Sequence, residues 1–128
     1  MYGEPKGKVT CNNNLTVDIK ITNVDDLDGW TADEWQLKNK SECKPVFGNG
    51  TVTYSALKLP DCAWSLEQPA NGSIKYVLKI NPTKKNSSTG QLRGYDHLYY
   101  VWCSYVNENV STASFVPIKN REDNDSSK

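Results

Sequence analysis

The residues of this chain with most chemistry to offer are Cys11, Cys43, Cys62 and Cys103. Structural zinc sites bring their ligands in close pairs such as C-x-x-C. No such pair occurs, and His97 is the single histidine that could complete a ligand set. An even count at wide spacing therefore reads as two disulfides, for which four cysteines allow three pairings. A nested pairing joins Cys11 to Cys103 and Cys43 to Cys62; a loop-by-loop pairing joins Cys11 to Cys43 and Cys62 to Cys103. Either contributes about 3 to 5 kcal/mol per bridge in the chain-entropy model, so energetics leave the choice open. Terminal strands of a sandwich often become neighbours, which leans slightly toward the nested option.

The second chemical signal is N-glycosylation. Asn14, Asn39, Asn49, Asn71, Asn86, Asn109 and Asn124 each open an Asn-x-Ser/Thr sequon, while Asn81 is followed by Pro82 and does not. The composition alone would produce roughly two such sites. The excess points to the secretory pathway, where disulfides also form. Met1 to Lys8 is polar and lacks the apolar core of a signal peptide. The expectation is either a cytosolic protein or an excised piece of a secreted one, and the cysteines and sequons favour the latter. The expected localisation is thus secreted.

Catalytic and metal signals are weak. His97 lies between Asp96 and Leu98, but no G-x-S-x-G elbow presents a nucleophile and the cysteines are committed. A surface histidine is the better reading. In the acidic stretch Asp25 to Gly29, an EF-hand register with Gly29 at position six puts Val24 at position one and Trp35 at position twelve. Both ligand positions fail, so a solvated turn is expected. Nothing suggests paired carboxylates for glycoside hydrolysis. The expectation is no enzyme, no catalytic residues, no metal and no cofactor. Fifteen Lys plus Arg balance fifteen Asp plus Glu, so nucleic acid is not an expected partner. No apolar run is long enough for direct membrane insertion.

The elements that must carry these residues are strands. At 128 residues and 14.4 kDa the chain has the size of one domain. Leu15, Val17, Ile19 and Ile21 alternate with polar residues, and Ile74, Tyr76, Leu78 and Ile80 do the same. Shorter β-rich runs lie at Thr51 to Tyr54 and around Trp35 to Leu37, and the strongest is Leu98 to Val106. Turn clusters separate them at Asp25–Gly29, Gly48–Gly50, Gln68–Gly72 and Asn81–Gly94. Thr31 could cap one helical turn near Asp33 to Leu37. The reading is an all-β sandwich, with residues 1–8 as an N-terminal extension, 9–118 as the domain and 119–128 as a polar tail or linker. No internal repeat is visible.

Four features resemble the zona pellucida N-type (ZP-N) module, the immunoglobulin-like domain of egg-coat and related extracellular filament proteins. Four cysteines span Cys11 to Cys103, about the size of such a module. A strand after the third cysteine carries a tyrosine, Ile74-Lys75-Tyr76-Val77-Leu78, and runs into a hydrophilic loop. The fourth cysteine sits in Val101-Trp102-Cys103-Ser104-Tyr105, matching a final strand that ends in Cys-x-Tyr. Ala63 stands after the third cysteine, where the family often has glycine. The resemblance covers roughly Val9 to Val106. It implies an immunoglobulin-like β-sandwich with the nested pairing. The sequons make the chain similar in style to the molluscan vitelline-envelope repeats that receive a sperm lysin.

Strand parity suggests where a partner would bind. With Cys103 turned inward, Tyr99, Val101 and Tyr105 share its face, and Leu98, Tyr100 and Trp102 point the other way. The resembled fold places Lys75, Val77 and Lys79 beside them. The predicted contact patch is Val77, Tyr100 and Trp102 with Lys75 and Lys79, unless Phe115 to Ile118 covers the rings. The long loop from Asn81 to Asp96, with Lys84, Lys85, Arg93, Tyr95 and the Asn86 sequon, is a second candidate. Exposed sheet edges are a third. Tyr76 and Tyr105 are expected as framework beside the disulfide, and one of Trp30, Trp35 and Trp64 as the core tryptophan.

The resemblance implies a non-enzymatic module of the vitelline envelope. It would bind a sperm protein such as a lysin, or other egg-coat modules during filament assembly, and would carry N-linked glycans. The alternatives are an immunoglobulin-like receptor or adhesion domain unrelated to fertilisation, and a small secreted hydrolase or carbohydrate binder. An ordinary immunoglobulin bridge joins two strands in mid-sandwich, so the disulfide map separates the first alternative from the leading reading.

Overall fold

The computed structural model describes residues 5–25, 27–68, 72–85, 92–95 and 97–119. Two antiparallel four-stranded sheets carry the fold. The first is built from β1 (Lys6–Cys11), β2 (Thr16–Thr22), β3 (Val46–Phe47) and β4 (Val52–Lys58), in the order β1-β2-β4-β3. The second is built from β5 (Ser65–Glu67), β6 (Ser73–Ile80), β9 (His97–Val106) and β10 (Asn109–Lys119), in the order β10-β9-β6-β5. Between β6 and β9, β7 (Thr83–Lys85) pairs with β8 (Leu92–Gly94) as a small ribbon. One α-helical turn, α1 (Leu59–Cys62), follows β4.

The period-two patterns become faces. Val17, Ile19 and Ile21 of β2 are fully buried, while Asp18 and Lys20 between them are exposed. In β9, Tyr99, Val101, Cys103 and Tyr105 turn inward. These residues share one core with Val52, Tyr54 and Leu57 of β4 and Leu78 and Ile80 of β6, which makes the two sheets a sandwich. Trp35 is the core tryptophan, ringed by Phe47, Tyr95 and Tyr99 at centroid distances of 5.8, 5.0 and 6.1 Å. Its carbonyl accepts the Tyr54 hydroxyl at 2.7 Å. Trp30 is also buried, edge-on to Tyr95, whereas Trp64 is exposed.

The two disulfides are nested. Cys11–Cys103 joins β1 to β9 and so ties the two sheets together, and Cys43–Cys62 ties the connecting segment to α1. They close separations of 92 and 19 residues, which restricts the unfolded chain most where the loop is longest.

Four expectations are corrected. The Trp35 to Leu37 run forms no strand; Ala32–Trp35 is a 3₁₀ turn, capped by Thr31 and Glu34 in a reciprocal capping box. The segment lies in the connection from β2 to β3 of the first sheet, where the turn buries Trp35 in the core. Leu15 does not belong to β2 but stands in the preceding turn with φ 64°. The stretch Phe115 to Ile118 is no cover: it lies within β10, paired with Val101 to Leu98. Pro117 is compatible with that position because β10 is an edge strand, paired on one side only. Strand pairing also begins at Lys6, opposite Thr22, inside the stretch read as an extension. The 120–128 part of the tail lies outside the described residues.

The seam between the sheets runs along β1 and β10. There the Phe115 ring lies directly against the Gly7 backbone, where any Cβ would overlap it. Phe115 also stacks on Tyr99 at 5.4 Å. A glycine is required at residue 7 by close approach rather than by backbone angle.

Candidate protein-binding face

The outer face of the β10-β9-β6-β5 sheet gathers most of the predicted patch. Lys75 is opposite Ser104, Val77 opposite Trp102, and Lys79 opposite Tyr100. On the other flank of β9, Val116 is opposite Tyr100 and Ile118 opposite Leu98. Val116 and Ile118 are 38% and 40% exposed, so they widen the apolar surface. Trp64, at the bend before β5, is 56% exposed and lies 6.3 Å from the Tyr100 ring. Its backbone N–H donates to Val77 at 2.7 Å, which fixes the bend against β6.

The lysines stand over the rings rather than away from them. Lys75 Nζ lies 4.6 Å from the Trp102 centroid, and Lys79 Nζ lies 4.9 Å from that of Trp64. Glu67 on the edge strand approaches Lys75 Nζ at 3.7 Å. A cation within about 6 Å of a ring face is attracted by the ring quadrupole. The result is an aromatic centre of Trp64, Tyr100 and Trp102 with a cationic border, a composition common in the middle of protein interfaces.

Two of the predicted contact residues are misplaced. Val77 is only 7% exposed, so it lies beneath the patch rather than on its surface. Tyr95 is 5% exposed and belongs to the core, packed against Trp30 and Trp35 with its hydroxyl donating to the Asp25 carbonyl. It anchors the β7–β8 ribbon instead of offering a contact. In the same loop Lys84 covers Trp30 at 4.4 Å and donates to the Gly29 carbonyl. Asn86, Asp96 and the side chains of Lys85 and Arg93 lie outside the described residues.

Sequence reasoning missed Trp64, Val116 and Ile118. For Val116 and Ile118 the signal was present: they alternate with Phe115 and Pro117, two residues apart like Tyr100 and Trp102. For Trp64 there was none, since its ring reaches the face through a bend that parity does not describe.

The sequons that can be placed are all exposed. Asn14 is in the β1–β2 turn, Asn39 among the 3₁₀ turns, Asn49 in the β3–β4 turn, and Asn109 at the start of β10 beside its turn. Asn39 lines the polar groove beside Trp64 and Lys79, and Asn14, Asn49 and Asn109 do not. Asn71, Asn86 and Asn124 lie outside the described residues.

Tyr76 and Tyr105 meet edge-on at 6.1 Å on the inner side, with Tyr76 opposite Cys103. The Tyr105 hydroxyl donates to the Asn12 carbonyl at 2.6 Å, and burial, helped by Tyr76, raises its pKa. Complete burial, with Tyr99 nearby, pushes that of Tyr54 well above the usual range. His97 opens β9 and stacks on Tyr99 at 6.2 Å. Among the described residues no group of three His, Cys, Asp or Glu is placed to hold a metal ion. A polar groove of about 420 Å³, bordered by Asp33, Glu34, Gln36, Trp64 and Lys79, runs beside the aromatic centre.

No family model, curated protein or solved structure matches this chain.

Proposed function

We propose that this chain is a non-enzymatic, secreted module of an egg coat, of the ZP-N type with an immunoglobulin-like fold. It binds a sperm protein, such as a lysin, or a neighbouring coat module through the outer face of its second sheet. The observation that carries the reading is that face: Trp64, Tyr100 and Trp102 lie at least partly exposed beside Lys75 and Lys79. An antiparallel sheet with one solvated face ordinarily carries polar residues there, and exposing large rings to water opposes that pattern unless a partner covers them.

The nested disulfides support the family half of the proposal, since the resembled module joins its first cysteine to its fourth and its second to its third. The exposed sequons support the extracellular half. Net charge does not select the partner, because the chain is formally neutral. Recognition rests on the local arrangement of rings, lysines and the open β5 edge.

The test is binding by the secreted, glycosylated chain. It is immobilised and titrated with a purified sperm lysin and, separately, with a second soluble copy of itself. The reading expects saturable binding to at least one, lost in the Tyr100→Ser/Trp102→Ser variant while the circular dichroism spectrum is unchanged. A folded chain that binds neither, or a variant that binds as well as the parent, overturns it.

A further inference from the structure

The β1–β2 turn carries three successive asparagines that the structure uses differently. Asn12 Nδ2 donates to the Thr16 carbonyl, the Thr16 hydroxyl and Asp18 Oδ2 at 3.3, 3.1 and 3.2 Å. Asn13 Oδ1 accepts the Val110 N–H at 3.0 Å. Together with the Tyr105 hydroxyl on the Asn12 carbonyl, these bonds fasten the turn to β2, β9 and β10. Asn14 faces outward. Its Oδ1 accepts the Thr16 hydroxyl at 2.7 Å, and its Nδ2, the atom to which a sugar is joined, donates to no group among the described residues.

Beside Asn14 lies a groove of about 390 Å³ whose apolar lining is Leu15, Ile74, Tyr76 and Tyr105. Leu15 reaches it from a left-handed backbone, φ 64°, a conformation unfavourable for a residue with a Cβ. In return its side chain packs against the core and forms one wall. Among the described residues Glu108 is the only charged one in the lining, so the groove suits a neutral occupant with an apolar side. Asn49 and Asn109 border neither this groove nor the polar one.

We infer that this groove seats the first N-acetylglucosamine of an N-linked glycan on Asn14, the sugar's C–H face lying against the tyrosine pair. The inference rests on the extracellular glycoprotein reading. An aromatic ring presents a negative face, to which the polarised C–H bonds of a pyranose are attracted. The attachment point at the lip supplies the sugar at high effective concentration without a separate binding event. The glycan thereby shields Ile74 and Tyr76 and becomes part of the fold at this end of the sandwich.

The experiment uses the secreted glycoprotein trimmed by endoglycosidase H to one N-acetylglucosamine per site, with occupancy read by peptide mass spectrometry. The expected result is one sugar spin system shifted upfield by ring currents, and lost in Asn14→Gln. Asn14→Gln also lowers the thermal midpoint by about 3 °C, whereas Asn49→Gln and Asn109→Gln do not. In sugar-free refolded protein the Asn14→Gln shift disappears, which separates the sugar from the Asn14–Thr16 hydrogen bond. Asn14 left bare while other sequons are occupied, or occupied without an upfield set, overturns this inference alone. Secreted protein with no sequon occupied overturns the glycoprotein reading as well.

Discussion

The two sheets of this sandwich have similar inner faces and opposite outer ones. Outside the first sheet, Lys8 stands opposite Lys20, Thr10 opposite Asp18, and Lys20 opposite Thr53. Val46, 72% exposed, is the apolar exception and lies on a two-residue edge strand. Outside the second sheet the corresponding positions hold Tyr100, Trp102, Val116 and Ile118, with Lys75 and Lys79 leaning over rings. Both sheets contribute fully buried residues to one core, Val17, Ile19 and Ile21 from the first and Leu78, Ile80, Tyr99 and Val101 from the second, so the core does not account for the difference. The first outer face is what a strand ladder needs to stay dissolved. The second is composed like the centre of an interface, and under the proposed function that contrast makes the first face a control for the second.

The largest effect expected is on partner binding. Truncating the aromatic centre, Tyr100→Ser or Trp102→Ser, should weaken a partner by about 30-fold or more each, the loss typical of a hot-spot residue of about 2 kcal/mol. Lys20→Ser and Thr53→Ala on the opposite face should change it less than about twofold. A surface titration of all four variants checks this, and equal losses on both faces would erase the distinction. A bulkier version adds sugar: Lys20→Asn creates a sequon with Thr22 on the first face, and Ser65→Asn with Glu67→Thr creates one on the second. Only the second should block binding.

Next in size is the seam that holds the two faces back to back. Gly7→Ala pushes a methyl group into the Phe115 ring, and overpacking of this kind costs about 1 to 3 kcal/mol. Urea unfolding should show a lower midpoint with an unchanged slope. Restored stability in the Gly7→Ala/Phe115→Leu double variant would locate the strain at that contact.

Legibility from sequence followed the same division. The inner faces of β2, β6 and β9 could be read residue by residue, because a period of two with one buried face leaves little freedom of register. The orientation of Tyr100 and Trp102 followed from the parity of Cys103. The β10 strand escaped because its polar residues Ser111, Thr112 and Ser114 and its Pro117 read as loop, although an edge strand tolerates both. Tyr95 escaped for another reason: a tyrosine in a long hydrophilic loop looks exposed until the ribbon β7–β8 folds it against two tryptophans. Its burial depends on Trp30 and Trp35, more than fifty residues away in sequence, and no local pattern records that contact. The segment around Trp35 likewise became 3₁₀ turns because of where the connection must travel.

The inner faces agree in a further respect: each buries a tyrosine whose hydroxyl donates to a backbone carbonyl, Tyr54 to Trp35 and Tyr105 to Asn12. Both have a pKa raised by burial. Above pH 10 the unfolded chain releases these protons and the folded one retains them, so the folded state binds more protons and stability falls as pH rises. Their contribution is complete below about pH 10 and declines through the raised folded values. Tyr54→Phe should cost about 1 kcal/mol at neutral pH for the lost hydrogen bond while flattening the alkaline decline. Chemical denaturation from pH 8 to 11 measures both, and an unchanged alkaline slope in Tyr54→Phe would exclude Tyr54 as its source.

The smallest effect sharpens the comparison most. Lys75 touches both Trp102 and Glu67, yet exposed cation–π contacts contribute about 0.5 to 1 kcal/mol and exposed ion pairs about 0 to 1 kcal/mol. Its role in the fold is therefore modest, and Lys75→Met should lower stability by no more than about 2 kcal/mol. Lys20→Met, on the polar face, should be within about 0.5 kcal/mol of neutral. In the complex the two should separate. A lysine at the border of a covered aromatic centre acts through encounter and register, so Lys75→Met should slow association and flatten its dependence on ionic strength. Lys20→Met should leave both as they were. Association rates at two salt concentrations provide the measurement, and identical salt slopes for the two variants would mean that the lysines over the rings do not border the contact.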